Sequence, residues 1–118
     1  MKTKIIIAAL VLVILSCLFI GGCSDSPEEV AQKWYEAINN CDLETANEHT
    51  VNALHDDNCE LIYKLLSDKD WRNEYRAVIT TALNEEAKID TNGNYAEIDG
   101  EIYLIKEDGE WKIISFMD

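Results

Sequence analysis

The middle of the chain brings together histidines and carboxylates, the side-chain types that bind metal ions. His49 and His55 stand close to Glu48, Asp56 and Asp57. Six positions separate the two histidines, whereas paired ligands on one helix face stand four apart, and no tight group of cysteine and histidine accompanies them. The pattern is typical of a solvated surface. We therefore expect neither a metal ion nor another cofactor.

Cys23 stands at the junction between an apolar leader and an acidic chain. The leader has two lysines, then an apolar run over residues 5–20, then two glycines. This order of basic, apolar and small residues is typical of a secretory signal peptide. A helix over the apolar run would span about 24 Å, less than the ~30 Å apolar core of a bilayer. We therefore expect cleavage, with an uncleaved anchor held by interfacial lysines as the alternative.

The residues Ile20-Gly21-Gly22-Cys23 resemble a bacterial lipobox, an apolar residue and two small ones before a cysteine. The resemblance implies that diacylglycerol alkylates the thiol and that cleavage makes Cys23 the new N-terminus. Two or more acyl chains, at about 0.8 kcal/mol per buried methylene, hold a protein on a membrane where one chain does not. A rival box at 14–17 would leave the apolar residues 18–20 in the mature protein, which disfavours it.

The leader and the box together predict an organisation and a location. Residues 1–22 form a lipoprotein signal peptide, 23–25 a lipidated tether, and 26–118 a folded domain. We expect the mature protein to be anchored by lipid to the cell membrane or outer membrane, on the extracytoplasmic face.

The mature chain is strongly acidic. Removing residues 1–22 takes away Lys2 and Lys4 and no acidic residue, so the net charge changes from −13 to −15. Such a surface repels nucleic acid phosphates and anionic lipid headgroups. We expect no nucleic-acid partner and, where charge drives binding, a cationic protein. A surface that is simply well solvated is the alternative.

The first half of the mature chain has helical periodicity. Ser26 and Glu29 predict a capping box, with a proline at the first helical position. Asp42 is suited to cap a second helix, and Asp57 with Glu60 predicts the start of a third.

The last forty or so residues change to the period of a strand. Apolar residues alternate from Tyr95 to Ile105, Asp108-Gly109 predicts a tight turn, and 111–116 supplies the returning strand. Asn92-Gly93 predicts an earlier turn. Before it, residues from about Val78 onward fit both a strand and a helix. Two adjacent threonines favour a long strand there.

Helices followed by antiparallel strands predict an α+β fold. The segments SPEEVAQKWYEAINNCDLETA (26–46) and EDGEWKIISF (107–116) resemble small lipoproteins of the nuclear-transport-factor-two-like superfamily. The match is closest to a group called lumazine-binding. The resemblance implies N-terminal helices packed on a curved antiparallel sheet, a cystatin-like cone with an apolar pocket.

Aromatic residues are the candidates to line that pocket. Trp34, Tyr35 and Trp111 either face a ligand or belong to the core. The pocket implies non-catalytic binding of a small apolar ligand, and binding of an envelope protein is the other non-catalytic possibility.

An enzyme is the alternative function, because members of the superfamily place an acidic residue, His or Tyr inside the cone. Glu85 has the strand parity of Leu83 and Ala87, so regular alternation points it inward as a general base. Tyr63 or Tyr103 would then donate to a developing oxyanion. A bulge over 84–86 would instead turn Glu85 to water.

Cys41 and Cys59 form an even pair in an oxidising compartment, which suggests a disulfide. A straight helix over residues 43–54 would hold its ends ~18 Å apart, whereas bridged Cα atoms lie about 4.4–6.8 Å apart. A bridge and two separate buried thiols both remain open.

Overall fold

The computed structural model describes residues 24–117. The elements in chain order are α1 Pro27–Asn39, α2 Leu43–Glu48, a 3₁₀ turn Asn52–Leu54, α3 His55–Ser67, α4 Lys69–Leu83, β1 Lys88–Ile89, β2 Tyr95–Ile98, β3 Ile102–Glu107 and β4 Glu110–Phe116. The helices pack on a curved, open antiparallel sheet, so the predicted α+β class is confirmed. The cone shape stays a prediction. The predicted leader, the predicted lipid attachment at Cys23 and the terminal Asp118 lie outside the described residues.

Helix α1 begins as its sequence predicts. The Glu29 amide donates to the Ser26 Oγ at 3.2 Å, and the Ser26 amide donates to the Glu29 carboxylate at 2.9 Å. Two of the unpaired amides at the helix start are thereby satisfied. The capping box is confirmed, and it fixes the point at which the folded domain begins.

Helix α1 ends in a Schellman motif that has a cysteine where glycine is usual. The Asp42 amide donates to the Ala37 carbonyl at 2.8 Å and the Cys41 amide to the Ile38 carbonyl at 3.1 Å. This geometry places Cys41 in the left-handed region, at φ 58°. A residue with a Cβ is strained in that conformation.

Replacing Cys41 with glycine is therefore expected to raise the free energy of unfolding by about 0.5–1 kcal/mol, the relieved strain less the added flexibility of the unfolded chain. Urea unfolding followed by tryptophan fluorescence measures the change. Cys59→Gly, at an exposed position inside α3, is the matched control and should lose about 1 kcal/mol. Equal signs for the two variants would contradict the assignment of strain to Cys41.

The second predicted cap is confirmed and the third is wrong. Asp42 accepts a hydrogen bond from the Thr45 amide at 3.2 Å, and this bond lowers the pKa of its carboxyl. Helix α3, by contrast, begins at His55 without a side-chain cap, and Asp57 lies inside its first turn. The reason is that the 3₁₀ turn Asn52–Leu54 runs directly into the helix, which leaves no extended residue to act as a cap.

The long strand predicted from about Val78 is wrong, because α4 continues to Leu83. Asp68 caps the helix by accepting from the Trp71 amide at 3.0 Å. Thr81 is one of the two threonines that favour a strand. In the helix its hydroxyl donates to the Ala77 carbonyl at 3.0 Å. What remains of the predicted strand is the two-residue β1.

The sheet runs β1-β2-β3-β4, each neighbour antiparallel. The alternating run predicted over 95–105 is two strands, joined by a turn at Asp99-Gly100 where both residues have positive φ. The predicted turn at Asp108-Gly109 is confirmed and has the same geometry. Two positive φ values describe the tight hairpin turn that matches the twist of the strands.

One face of the sheet and the inner faces of the helices form the core. Trp34 of α1 packs on Phe116 of β4, with ring centroids 4.7 Å apart. The outer edge of β4 is covered by the segment after α2, since the Ile113 amide donates to the His49 carbonyl and the Val51 amide to the Ile113 carbonyl. This closure protects the edge from pairing with another chain.

Candidate functional site

The aromatic residues predicted to line a pocket lie in the core. Trp34 is fully buried, Tyr35 is 9% exposed and Trp111 is 6% exposed, and all three belong to the main hydrophobic cluster. Of the two alternatives that the sequence leaves open, Trp34 and Tyr35 are core residues, whereas Trp111 belongs to the core and also borders an open groove. Tyr63, by contrast, is exposed on the outer side of α3. The structure does not bring Trp34, Tyr35, Tyr63 and Glu85 together into one site.

Glu85 is exposed, so its inward orientation is wrong. The strand parity that pointed it inward does not apply, because α4 continues to Leu83 and Glu85 follows in the turn at its end. Its amide donates to the Ala82 carbonyl at 2.9 Å, as expected for a residue just past a helix. Tyr103 is one of the two tyrosines predicted to donate to an oxyanion. Its hydroxyl donates instead to the Gly100 carbonyl at 3.2 Å.

A buried polar network lies in the interior, centred on Asn58 of α3. The Asn58 side chain is fully buried and its Oδ1 accepts from the Trp34 indole at 2.9 Å. Its Nδ2 donates to the Asn47 Oδ1 at 2.9 Å and to the Thr50 Oγ1 at 3.0 Å. Thr50 in turn donates to the Ala46 carbonyl at 3.3 Å. This network joins α1, α2 and α3. Its hydrogen bonds occupy the region beside Trp34, where the sequence predicts a pocket.

The sequence contains a signal for this network. Asn58 stands three positions before Leu61 and seven before Leu65, so it shares their buried face. A polar residue on an apolar stripe needs a partner when buried. Trp34, on the buried face of α1, carries an indole N–H suited to that role.

The tether end of the domain is held by charged groups. The Lys33 ammonium lies 2.7 Å from the Asp25 carboxylate, and this hydrogen bond raises the pKa of Lys33. Beside it is an open groove of about 420 Å³. Its lining includes Ser24, Asp25, His49, Trp111 and Lys112. Partial burial, together with the nearby Lys33, lowers the pKa of His49, so its imidazole favours the neutral form.

The two cysteines of the predicted bridge are free and exposed in the structure. Cys41 occupies the end of α1 and Cys59 the outer side of α3. The disulfide is therefore not formed, and the alternative of two buried thiols is wrong as well. Cys59 is exposed because it lies on the side of α3 opposite Asn58, Leu61 and Leu65.

Both α3 and α4 carry exposed apolar side chains on their outer sides. Tyr63 is 71% exposed and Leu66 is 65% exposed, and Val78 on α4 is 41% exposed. Lys64 links the two helices, its ammonium 4.6 Å from the centroid of the Trp71 ring. We call the area formed by Cys59, Tyr63, Leu66, Trp71 and Val78 the α3–α4 surface.

Residues 24–117 contain neither a cluster of metal ligands nor a membrane-spanning helix. Within this range, no group of three or more His, Cys, Asp or Glu side chains is placed to hold a metal ion. In the same part of the chain, no helix combines the length and apolar character needed to cross a membrane.

Comparison with known proteins leaves the family open. No family model matches the chain, and neither the curated proteins nor the solved structures contain a significant match. The resemblance to the nuclear-transport-factor-two-like lipoproteins therefore stays a prediction.

Proposed function

We propose that this protein is a lipid-anchored domain on the extracytoplasmic face of a bacterial membrane, acting by non-catalytic binding. The observation that carries the proposal is the spacing between the lipobox and the fold. Only Ser24 and Asp25 separate Cys23 from the capping residue of α1. A diacylated Cys23 would hold the start of α1 within ~10 Å of the bilayer surface.

The contacts at the tether support this arrangement. Asp25 is paired with Lys33 on α1, and Ser26 closes the capping box with Glu29. The last residue of the tether is therefore held against α1. A short, fixed tether of this kind gives the domain a defined orientation with respect to the membrane, with the start of α1 on the membrane side.

The binding role is placed on the exterior of the domain. The small apolar ligand was predicted for a pocket containing Trp34 and Tyr35, and both side chains are part of the core. The general base of the enzyme alternative, Glu85, is exposed. The exposed aromatic and aliphatic side chains of the α3–α4 surface favour instead the envelope-protein form of the binding hypothesis.

Cys23→Ala in the full-length protein tests the anchor. We expect the variant to keep its leader, to incorporate no alkyne-tagged fatty acid in growing cells, and to lack the mass of the lipidated mature chain. Cys17→Ala, in the rival box, is the matched control and should mature like the wild type. Normal lipidation and cleavage of Cys23→Ala, read by mass spectrometry, would refute the proposal.

A further inference from the structure

The Trp71 end of the α3–α4 surface lies away from the tether. Strand β4 starts next to the tether, where Trp111 lines the groove with Asp25. The strand is seven residues long, so it ends roughly 20 Å from its start. There the Tyr75 hydroxyl of α4 donates to the Met117 carbonyl at 2.8 Å.

Contacts between α1 and α4 also place the start of α4 away from the tether. The side chain of Arg76, at the middle of α4, donates to the Asn39 Oδ1 at the C-terminal end of α1 at 3.3 Å. At the C-terminal end of α4, the Leu83 carbonyl accepts from the Gln32 side chain, near the middle of α1, at 3.4 Å. Helix α4 thus runs antiparallel to α1, and its first turns, with Trp71, are distant from the tether. With Cys23 in a membrane, the first turns of α4 lie on the far side of the domain from it.

The charges around the surface favour a partner that is positively charged. Asp56 and Glu60 line the groove that contains Cys59 and Tyr63, and Glu74 lines the one that contains Trp71 and Val78. Lys64 is the basic residue in these two linings, and its ammonium lies over the Trp71 ring. Apolar side chains bordered by carboxylates match an apolar stripe bordered by lysine or arginine.

The same charges disfavour other occupants. A second copy would bring two domains of net charge −15 together through their acidic surfaces. Anionic lipid headgroups would be repelled as well, and the Trp71 end of the surface is distant from the bilayer. We propose that the α3–α4 surface docks a basic amphipathic helix of a partner protein, an inference that rests on the binding role proposed above.

The test uses the mature lipidated protein, which lacks residues 1–22, in phosphatidylcholine vesicles and a peptide of about four helical turns, built from leucine and lysine with one apolar face. Maleimide alkylation of the two free thiols is followed by mass spectrometry. Peptide at about ten times its dissociation constant should slow alkylation of Cys59 about tenfold. Cys41 lies outside this surface, just past the C-terminal end of α1. It should react at an unchanged rate and serves as the internal control.

Two double variants test whether the protection of Cys59 comes from binding at the α3–α4 surface. Tyr63→Ser with Leu66→Ser should weaken peptide binding by about tenfold or more. The matched control, Ile89→Ser with Tyr95→Ser, removes exposed apolar side chains from the sheet and should leave binding unchanged. The same peptide with glutamate in place of lysine should not protect Cys59.

Several outcomes would overturn the inference. These are equal slowing of both thiols, protection that survives the Tyr63 and Leu66 changes, and protection by the acidic peptide. Concentration-dependent dimers that the same two changes abolish would assign the surface to a second copy. Lipidation of Cys23 is read in the same mass spectra, so failure of the anchor and failure of the docking surface are distinguished.

Discussion

Replacing Asn58 with alanine is expected to lower the free energy of unfolding by about 2–4 kcal/mol, and the melting temperature by roughly 10–25 °C. The change removes three hydrogen bonds, and with them the partner of the Trp34 indole N–H and of the Asn47 and Thr50 oxygens. Trp34 and Thr50 are buried, so water does not readily replace the lost partner. The cost of unsatisfied buried groups therefore exceeds the ordinary value of the bonds.

Asn73→Ala is the matched control for this prediction. Asn73 is exposed on α4, so the same chemical change in a helix should alter stability by about 0.5 kcal/mol or less, mostly through helix propensity. Urea unfolding followed by tryptophan fluorescence compares the two variants. If they lose equal stability, the network around Asn58 does not hold the three helices together.

Local signals in the sequence predicted the parts of the fold that depend on neighbouring residues. The Ser26–Glu29 capping box, the Asp42 cap and the Asp108-Gly109 turn each involve residues a few positions apart, and each is confirmed. Asp99-Gly100 carries the same turn signal as Asp108-Gly109. It was missed because the alternation of apolar residues continues in step across the turn, from Ile98 to Ile102.

The errors arise where tertiary packing decides between two readings. Residues from Val78 onward fit two periods, and the burial of Tyr75, Ile79 and Ala82 against the other elements selects the helix. Strand propensity of adjacent threonines is a weak preference that such burial overrides. The inward orientation of Glu85 failed with the strand from which it was derived.

The predicted pocket failed for a different reason. Aromatic type and helical spacing place Trp34 and Tyr35 on the inner face of α1, and that much is correct. Whether an inner face borders a cavity or packed side chains depends on the partners that the fold brings to it. Here Phe116 packs on Trp34 and Asn58 bonds its indole. Neither contact is visible in the sequence around position 34.

Ala82→Asp should be among the most damaging single changes, and its pairing with Thr81→Asp decides the secondary structure of this segment. In the helix, Ala82 is fully buried and its neighbour Thr81 is exposed. A carboxylate at 82 would be buried without a partner, at a cost of about 3–5 kcal/mol, close to that of a buried pair deprived of one member. At 81 the cost should stay below about 1 kcal/mol, from the helix dipole and the lost hydroxyl bond.

The strand reading makes the opposite prediction, because regular alternation would place Thr81 inward with Ile79 and turn Ala82 to water. Both substitutions introduce the same carboxylate in the last turn of α4, so their common effects on helix propensity and dipole nearly cancel in the comparison. Urea midpoints of the two variants give the result directly. A larger loss for Thr81→Asp than for Ala82→Asp would refute α4 beyond Ile79, and would restore the strand geometry that points Glu85 toward the interior.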